Sequence, residues 1–457
     1  MKQAWWKEGV VYQIYPRSFY DADGDGIGDL RGIIQKLDHL QQLGVDIVWL
    51  CPVYQSPNDD NGYDISDYQA IASEFGTLDD WQDMLQGMHQ RGIRLIMDLV
   101  VNHTSDEHPW FLESRASTDN PYRDYYIWRS GKDGREPNNW ESFFGGSAWQ
   151  LDDATGDYYL HVFSRKQPDL NWENPNVREA VYAMMRWWLD KGIDGFRLDA
   201  INMISKVPGL PDAPITTNTR FQFGGQHFIN GPRLVEYLSE MKARALSGYD
   251  VFTVGETPKV TTEHGITLTN EASGPLSMLF QFEHMEIDTD PTSDSPKWSH
   301  APWNLRDLKE ITSRWQTDLK EQGWNSIYLS NHDTPRTVSR FGDDTHYRVE
   351  SAKLLATFLH MLQGTPYVYQ GEEIGMTNVA FDSIDDYRDV DARNMYREFT
   401  EERGMDPQRV LSMIHAKGRD NARTPMQWDG SANAGFSTGT PWIKVNPNYR
   451  TINVAQA

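Results

Sequence analysis

The sequence predicts an α/β fold in which about eight βα repeats close a parallel sheet into a (β/α)8 TIM barrel, interrupted after the third strand by an inserted irregular domain. Three observations carry this expectation. "DHLQQLGVDIVWLCP" (38–52), "QGMHQRGIRLIMDLVVNH" (86–103) and "RWWLDKGIDGFRLDA" (186–200) share one grammar: an amphipathic helix stops at Gly44, Gly92 or Gly192, and an apolar strand follows within a few residues. Helix, glycine and strand in that order build parallel sheets. Further apolar runs at 10–16, 251–255, 279–283, 326–330 and 366–370, with helical patterns at 304–322 and 346–363, bring the repeats to about eight, the number at which a parallel sheet can close. Finally, 457 residues that are 39% hydrophobic and 12% aromatic can bury a large core.

Each element follows from its own residues. The second strand contains the sole cysteine, Cys51, which has no CxxC or histidine cluster beside it and reads as a packed, inert thiol. Between His103 and about residue 172 the chain is rich in Trp, Tyr, Asn, Gly and Asp without helical periodicity, so residues 104–172 are expected to form the irregular insertion. The barrel is then expected from 1–103 and 173–457. Segment 176–191 places Val177, Val181, Met184, Met185 and Trp188 on one helical face, which should pack against the sheet. The tail beyond about 404 reads as loop-like.

Charge bounds the partners. The 66 acidic residues against 43 Lys and Arg give a formal net charge of −23, which disfavours nucleic acid, anionic membrane and phosphate-rich ligands. No stretch approaches the roughly 18 apolar residues needed to span a bilayer, and "MKQAWWKEGVVYQ" has no signal-type apolar region, so a soluble, cytoplasmic protein is expected. Composition leaves the oligomeric state open.

In a parallel barrel the carboxyl ends of the strands meet at one mouth. Strand three ends in Asp98, Asn102 and His103, strand four in Arg197 and Asp199, strand five in Glu256, and strand seven in Asn331, His332 and Asp333. Carboxylates gathered in an apolar mouth titrate apart, which supplies the acid and the nucleophile of glycosidic cleavage. "DGFRLDAINM" (194–203) puts Arg197 and Asp199 in an apolar strand, where an unpaired charge is costly; on the same side of the strand, Arg197 is expected to hold Asp199 ionised. An ordinary Arg–Asp brace is the competing reading of this motif alone.

"DLVVNH", "GFRLDAIN", "VGET" and "LSNHD", in that order, together with "QPDLNW" (167–172) and "DNGYDISDY" (60–68), resemble the conserved regions of the α-amylase superfamily, glycoside hydrolase family 13. Within it the chain is similar to the oligo-1,6-glucosidase and α-glucosidase branch, from about residue 5 to the end. The resemblance implies a barrel with a B domain after strand three, matching the irregular interval. It also implies an antiparallel C-terminal β domain, before which this sequence stops at Ala457, so the barrel's second part is expected to be C-terminally incomplete.

Carried over by position, the resemblance implies a retaining, exo-acting α-glucosidase. Asp199 would attack the anomeric carbon, Glu256 would serve as acid and then base, and Asp333 would bind the glucosyl 2- and 3-hydroxyls. His103, His332 and Arg197 match residues around the same sugar, Asp60 and Tyr63 match those holding its far side, and Phe163 and Gln167 match the pocket wall. Arg419 in "GRDNAR" resembles the arginine that closes the pocket, with Arg423 near enough for the same role; Asp98 reads as a brace for Arg197.

In this branch a valine after the nucleophile accompanies α-1,6 substrates. Here Ala200 follows it, and Thr257 also departs from the α-1,6 pattern, so short α-1,4 glucosides are expected ahead of α-1,6 ones. An oligo-1,6-glucosidase or a transglucosylase of the same branch is the rival reading; an isomerase matches poorly at 381–396, and a silent relative would lack the carboxylates kept here. "DADGDGIGDL" (21–30) spaces Asp21, Asp23, Asp25, the Ile27 carbonyl and Asp29 like the start of an EF-hand loop, with Gly32 where the bidentate Glu would stand. The branch binds Ca2+ there, which implies a structural ion and no organic cofactor.

Overall fold

Four of the eight central strands read as nearly uninterrupted apolar runs because both of their faces are covered. The computed structural model describes residues 3–290, 292–293 and 295–457. The strands are β1 (Val11–Ile14), β2 (Ile47–Leu50), β3 (Arg94–Val100), β4 (Gly195–Asp199), β5 (Phe252–Glu256), β6 (Met278–Phe280), β7 (Ser326–Ile327) and β8 (Thr365–Tyr369). Their order in the sheet is β6-β5-β4-β3-β2-β1-β8-β7, and the pairs run parallel, with Val11 opposite Ile47 and Tyr367, and Phe252 opposite Gly195. Strand number, direction and alternation with helices are those of the TIM barrel, as expected.

Residue contacts divide the chain into two compact units: 1–53, 71–97 and 283–457 in the first, and 54–70 and 98–282 in the second. The chain passes from one to the other inside β3. In the first unit, helix Leu78–Gln90 starts at a capping box between Thr77 and Asp80 and buries Trp81, Met84, Leu85 and Met88 at three- and four-residue spacing. Gly92, at φ +75°, then turns the chain into β3. In the second unit, helix Pro175–Asp190 is capped by Asn174, begins with proline at its first position and buries Val177, Val181, Met184, Met185 and Trp188. The Trp188 indole N–H donates to the Tyr68 carbonyl at 2.9 Å.

Two expectations are corrected. The interval 104–172 is not irregular: it contains helix Pro109–Ala116 and a three-stranded antiparallel sheet of 128–130, 157–160 and 149–151. Its strands are three or four residues long, too short to show alternation, and aromatic packing stabilises them, with Phe111 stacked on Trp128 and edge-on to Tyr126 and Tyr159. The tail is not all loop either. Pro407–Lys417 is a helix capped by Asp406 that buries Val410, Leu411 and Ile414, and Gly418 follows it, start and stop signals that the sequence displays openly.

Candidate active site

In the second unit the site is built on the ends of β3, β4 and β5. Arg197, 1% exposed, occupies the middle of β4. Its Nη1 donates to Asp98 Oδ1 at 2.7 Å and to Asp199 Oδ1 at 2.6 Å, while Nη2 lies 2.8 Å from Glu256 Oε2. One cation therefore serves three carboxylates. This corrects the expectation that Arg197 simply keeps Asp199 ionised: burial raises the Asp199 carboxyl well above the usual range, Arg197 opposes the rise, and Glu256 and Asp98 add to it.

Glu256 is oriented from one side. Its Oε2 accepts the Ala200 backbone N–H at 2.9 Å as well as the Arg197 pair, which leaves Oε1 unengaged. Ala200 makes that contact from a left-handed conformation, φ +41° and ψ 34°, which L-residues adopt at a cost and which recurs at functional positions.

The predicted sugar-binding residues of this unit form one hydrogen-bonded group. Gln167 Nε2 donates to Asp60 Oδ2 at 3.1 Å and lies 3.2 Å from His103 Nε2, which is itself 3.1 Å from the Tyr63 carbonyl. The Tyr63 hydroxyl donates to Asp98 Oδ2 at 3.4 Å, and the Phe163 ring packs 5.1 Å from His103. Burial lowers His103 to about 4, against the pull of Asp169, so the ring is neutral at pH 7. Sequence reasoning missed Lys206, whose ammonium lies 2.7 Å from Asp169 Oδ2 and donates to Asn102 Oδ1 at 2.8 Å, bracing the strand end beside His103. A lysine seven residues past an apolar strand is the signal that could have marked it.

The first unit carries a second polar cluster. Asp333 Oδ1 accepts from Arg423 Nη2 at 2.8 Å and Arg419 Nη1 at 3.3 Å, and its Oδ2 lies 2.9 Å from His332 Nε2. Burial alone would raise Asp333, but His332, Arg419 and Arg423 outweigh it and hold the carboxyl well below the usual range. Arg419 is bound mainly by Asp389, at 3.0 and 2.5 Å, so Arg423 is the closer partner of Asp333. Asp389 was not singled out from sequence, nor was Gln13, whose side chain meets His332 from β1. An isolated amide in "VVYQIYP" was the visible clue to Gln13.

Also in the first unit, Asp21, Asp23 and Asp29 bring one carboxylate oxygen each within 4.8 Å of one another; Asp25 falls outside this trio, its Oδ1 accepting the Ile27 N–H at 2.7 Å. Asp21 also accepts the N–H groups of Gly24 and Gly26 at 2.7 and 2.8 Å and the Ser437 hydroxyl at 2.5 Å. Burial raises Asp29, backbone N–H bonds oppose it, and the charges of Asp23 and Asp21 add to the rise. Three hard oxygen donors under mutual repulsion fit a Ca2+ ion. The loop is pinned to the tail: Trp442 N–H donates to the Gly26 carbonyl at 2.9 Å, and a Cβ on Gly26 would collide with the Thr440 carbonyl. Among the described residues, no helix is long and apolar enough to cross a membrane.

A family model described as the catalytic domain of α-amylase matches residues 13–457. The chain is 66% identical to an oligo-1,6-glucosidase of Parageobacillus thermoglucosidasius, across all of this chain and 81% of that protein. It is 56% identical to an α-glucosidase of Pediococcus pentosaceus, across 99% of this chain and 81% of that one. Among solved structures, the trehalose-6-phosphate hydrolase of Bacillus licheniformis superposes with a TM-score of 0.94 at 52% identity, covering all of this chain and 80% of its own.

Proposed function

The chain belongs to the α-amylase family and is a glycoside hydrolase of the α-glucosidase kind; from that premise we propose that it removes the non-reducing terminal glucose of short α-glucosides with retention, through a covalent glucosyl intermediate. The observation that carries this is the Arg197 guanidinium bridging Asp199 and Glu256, which brings both carboxylates onto one cation; a close pair of carboxylates is what retention requires.

Asp199 attacks the anomeric carbon while Glu256 protonates the leaving oxygen. Because Glu256 Oε2 is occupied by two donors, the transferable proton sits on Oε1. With that proton on Glu256, Arg197 balances an ionised Asp199, the form the first step needs. Departure of the leaving group ionises Glu256, which then takes a proton from water as the water oxygen attacks the anomeric carbon, breaking the Asp199–glucosyl bond, freeing the Asp199 carboxylate and leaving Glu256 protonated again. Asp60, Gln167, neutral His103 and Tyr63 suit an uncharged sugar, and Asp333, anionic between two arginines, suits vicinal hydroxyls.

The small Ala200 beside the nucleophile favours α-1,4 linkages. A second reading, α-1,6, is favoured by three relatives at 62–66% identity that are named oligo-1,6-glucosidases. We assign Ca2+ to Asp21, Asp23 and Asp29, where it would neutralise the loop's charge and stiffen it. The test is kcat/KM on maltose, isomaltose, sucrose and p-nitrophenyl α-glucoside, with the anomer of the first product read by NMR. An initially α product supports retention; an initially β product overturns it, and the maltose to isomaltose ratio decides the linkage.

A further inference from the structure

Gln13 lies in β1, 1% exposed, in register with Trp49 of β2. Burying a primary amide in an apolar strand is costly unless its hydrogens are used. Both are used: Nε2 lies 2.7 Å from His332 Nδ1 and donates to Cys51 Sγ at 3.2 Å. The His332 ring is fixed on every side, stacked at 6.1 Å on Tyr15 and edge-on at 5.8 Å to Trp49, and its other nitrogen, Nε2, lies 2.9 Å from Asp333 Oδ2.

A donor at Nδ1 requires a lone pair there, and an imidazole that accepts at Nδ1 carries its proton on Nε2. We propose that Gln13 is a positioning residue that fixes the Nε2–H tautomer of His332, so that this histidine always presents a donor to Asp333. The opposite amide orientation would set Oε1 against the Nδ1 lone pair. The opposite tautomer would set an Nε2 lone pair against the Asp333 carboxylate. Both arrangements are repulsive, so Gln13 and Asp333 select one proton position from the two ends of the ring. Arg423 completes the frame, its Nε donating to the His332 carbonyl at 3.1 Å and its Nη2 to Asp333. The Cys51 thiol, which sequence alone marks as inert, anchors the amide that does the selecting.

For function, which rests on the α-glucosidase reading, the consequence is that Asp333 Oδ2 faces the His332 Nε2–H and Oδ1 is held by the arginines, leaving its remaining lone pairs in one fixed direction for sugar hydroxyls. The test is 15N NMR of histidine-labelled protein, with His332 assigned by its absence in His332→Gln. The expected spectrum has an unprotonated Nδ1 and a protonated Nε2; a protonated Nδ1 overturns the proposal. In Gln13→Glu the carboxylate accepts at Nδ1, so the proton appears there, and KM for p-nitrophenyl α-glucoside rises about tenfold with a smaller change in kcat. Gln13→Met, of similar volume, removes the donor, and the ring signals move toward a tautomer mixture. If Gln13 only fills space, Gln13→Met and Gln13→Glu leave the ring signals as in the parent protein, and the proposal fails. The ring spectrum does not depend on turnover, so a protein that cleaves no α-glucoside yet shows the Nε2–H form would refute the functional reading and leave the tautomer assignment standing.

Discussion

Arg197 Nη2 stands 2.8 Å from Glu256 Oε2, on the same guanidinium that binds Asp199 through Nη1. Asp199 and Glu256 thus draw on one cation, and a change in the charge of either is felt by the other. In the proposed retaining mechanism these two groups would exchange ionisation during each half-reaction, and a shared arginine would let that exchange proceed without a net change of charge around it.

Asp199→Asn should lower kcat/KM on the order of 10³-fold or more while making the fold more stable at neutral pH. The sign follows from the raised Asp199 carboxyl: in the folded state the ionised form is disfavoured, so this group's stabilising contribution is greatest at low pH and is lost as pH rises through its folded value. Removing the charge restores that loss, and Arg197 keeps Asp98 and Glu256 as partners. A melting temperature ~1–3 °C above the parent at pH ~7, converging with it near pH ~4, is the expected calorimetric result. A variant less stable at neutral pH would contradict it.

Acid should destabilise the chain before the carboxylates titrate. Burial lowers His103, His108, His161 and His284 to about 4, so between ~6.5, where the unfolded chain takes up these protons, and about 4 the folded state lags behind. Stability is full above ~6.5 and falls with pH through that window. Urea midpoints at pH ~7 and ~4.5 measure the loss, and His284→Gln should shrink it by on the order of 1–3 kcal/mol. An unchanged difference would mean that His284 does not contribute.

Calcium should raise the melting temperature, and a chelator should lower it. Asp23 is the exposed member of the trio, so Asp23→Ala removes a ligand with little structural loss. The variant should melt near the chelated parent and respond to calcium only weakly. A full calcium response in Asp23→Ala would place the ion elsewhere.

Ala200→Val should raise the isomaltose to maltose ratio of kcat/KM and cost about 1–3 kcal/mol of stability. The φ of +41° is strained for a β-branched side chain, and the residue directs its N–H at Glu256, so bulk added there alters the space beside the acid. An unchanged ratio would remove Ala200 as a linkage determinant.

The strands and their helices were legible because each buries a long, regular face: helix Pro175–Asp190 and strand Gly195–Asp199 fall within a residue or two of the periodic segments. The antiparallel sheet near Trp128 and Trp149 was not, since three- and four-residue strands held by aromatic edges leave no period to read. Chemistry-bearing residues at strand ends were visible one at a time, whereas their sharing was not. That Arg197 divides itself among Asp98, Asp199 and Glu256, and that Asp389 rather than Asp333 chiefly engages Arg419, depends on which side chains meet across large sequence separations. Gln13 and Lys206 were missed for the same reason: each acts by touching a recognisable residue from a distant segment.

Asp21 receives the Ser437 hydroxyl across 416 positions of chain, and the Gly26 carbonyl receives the Trp442 N–H. These bonds cannot form until Ser437 and Trp442 have left the ribosome, more than 400 residues after the acidic loop, so that loop is a clasp fastened long after it is made. A nascent chain arrested before Ser437 would keep that loop open to a protease, and cleavage there would report how far translation had gone.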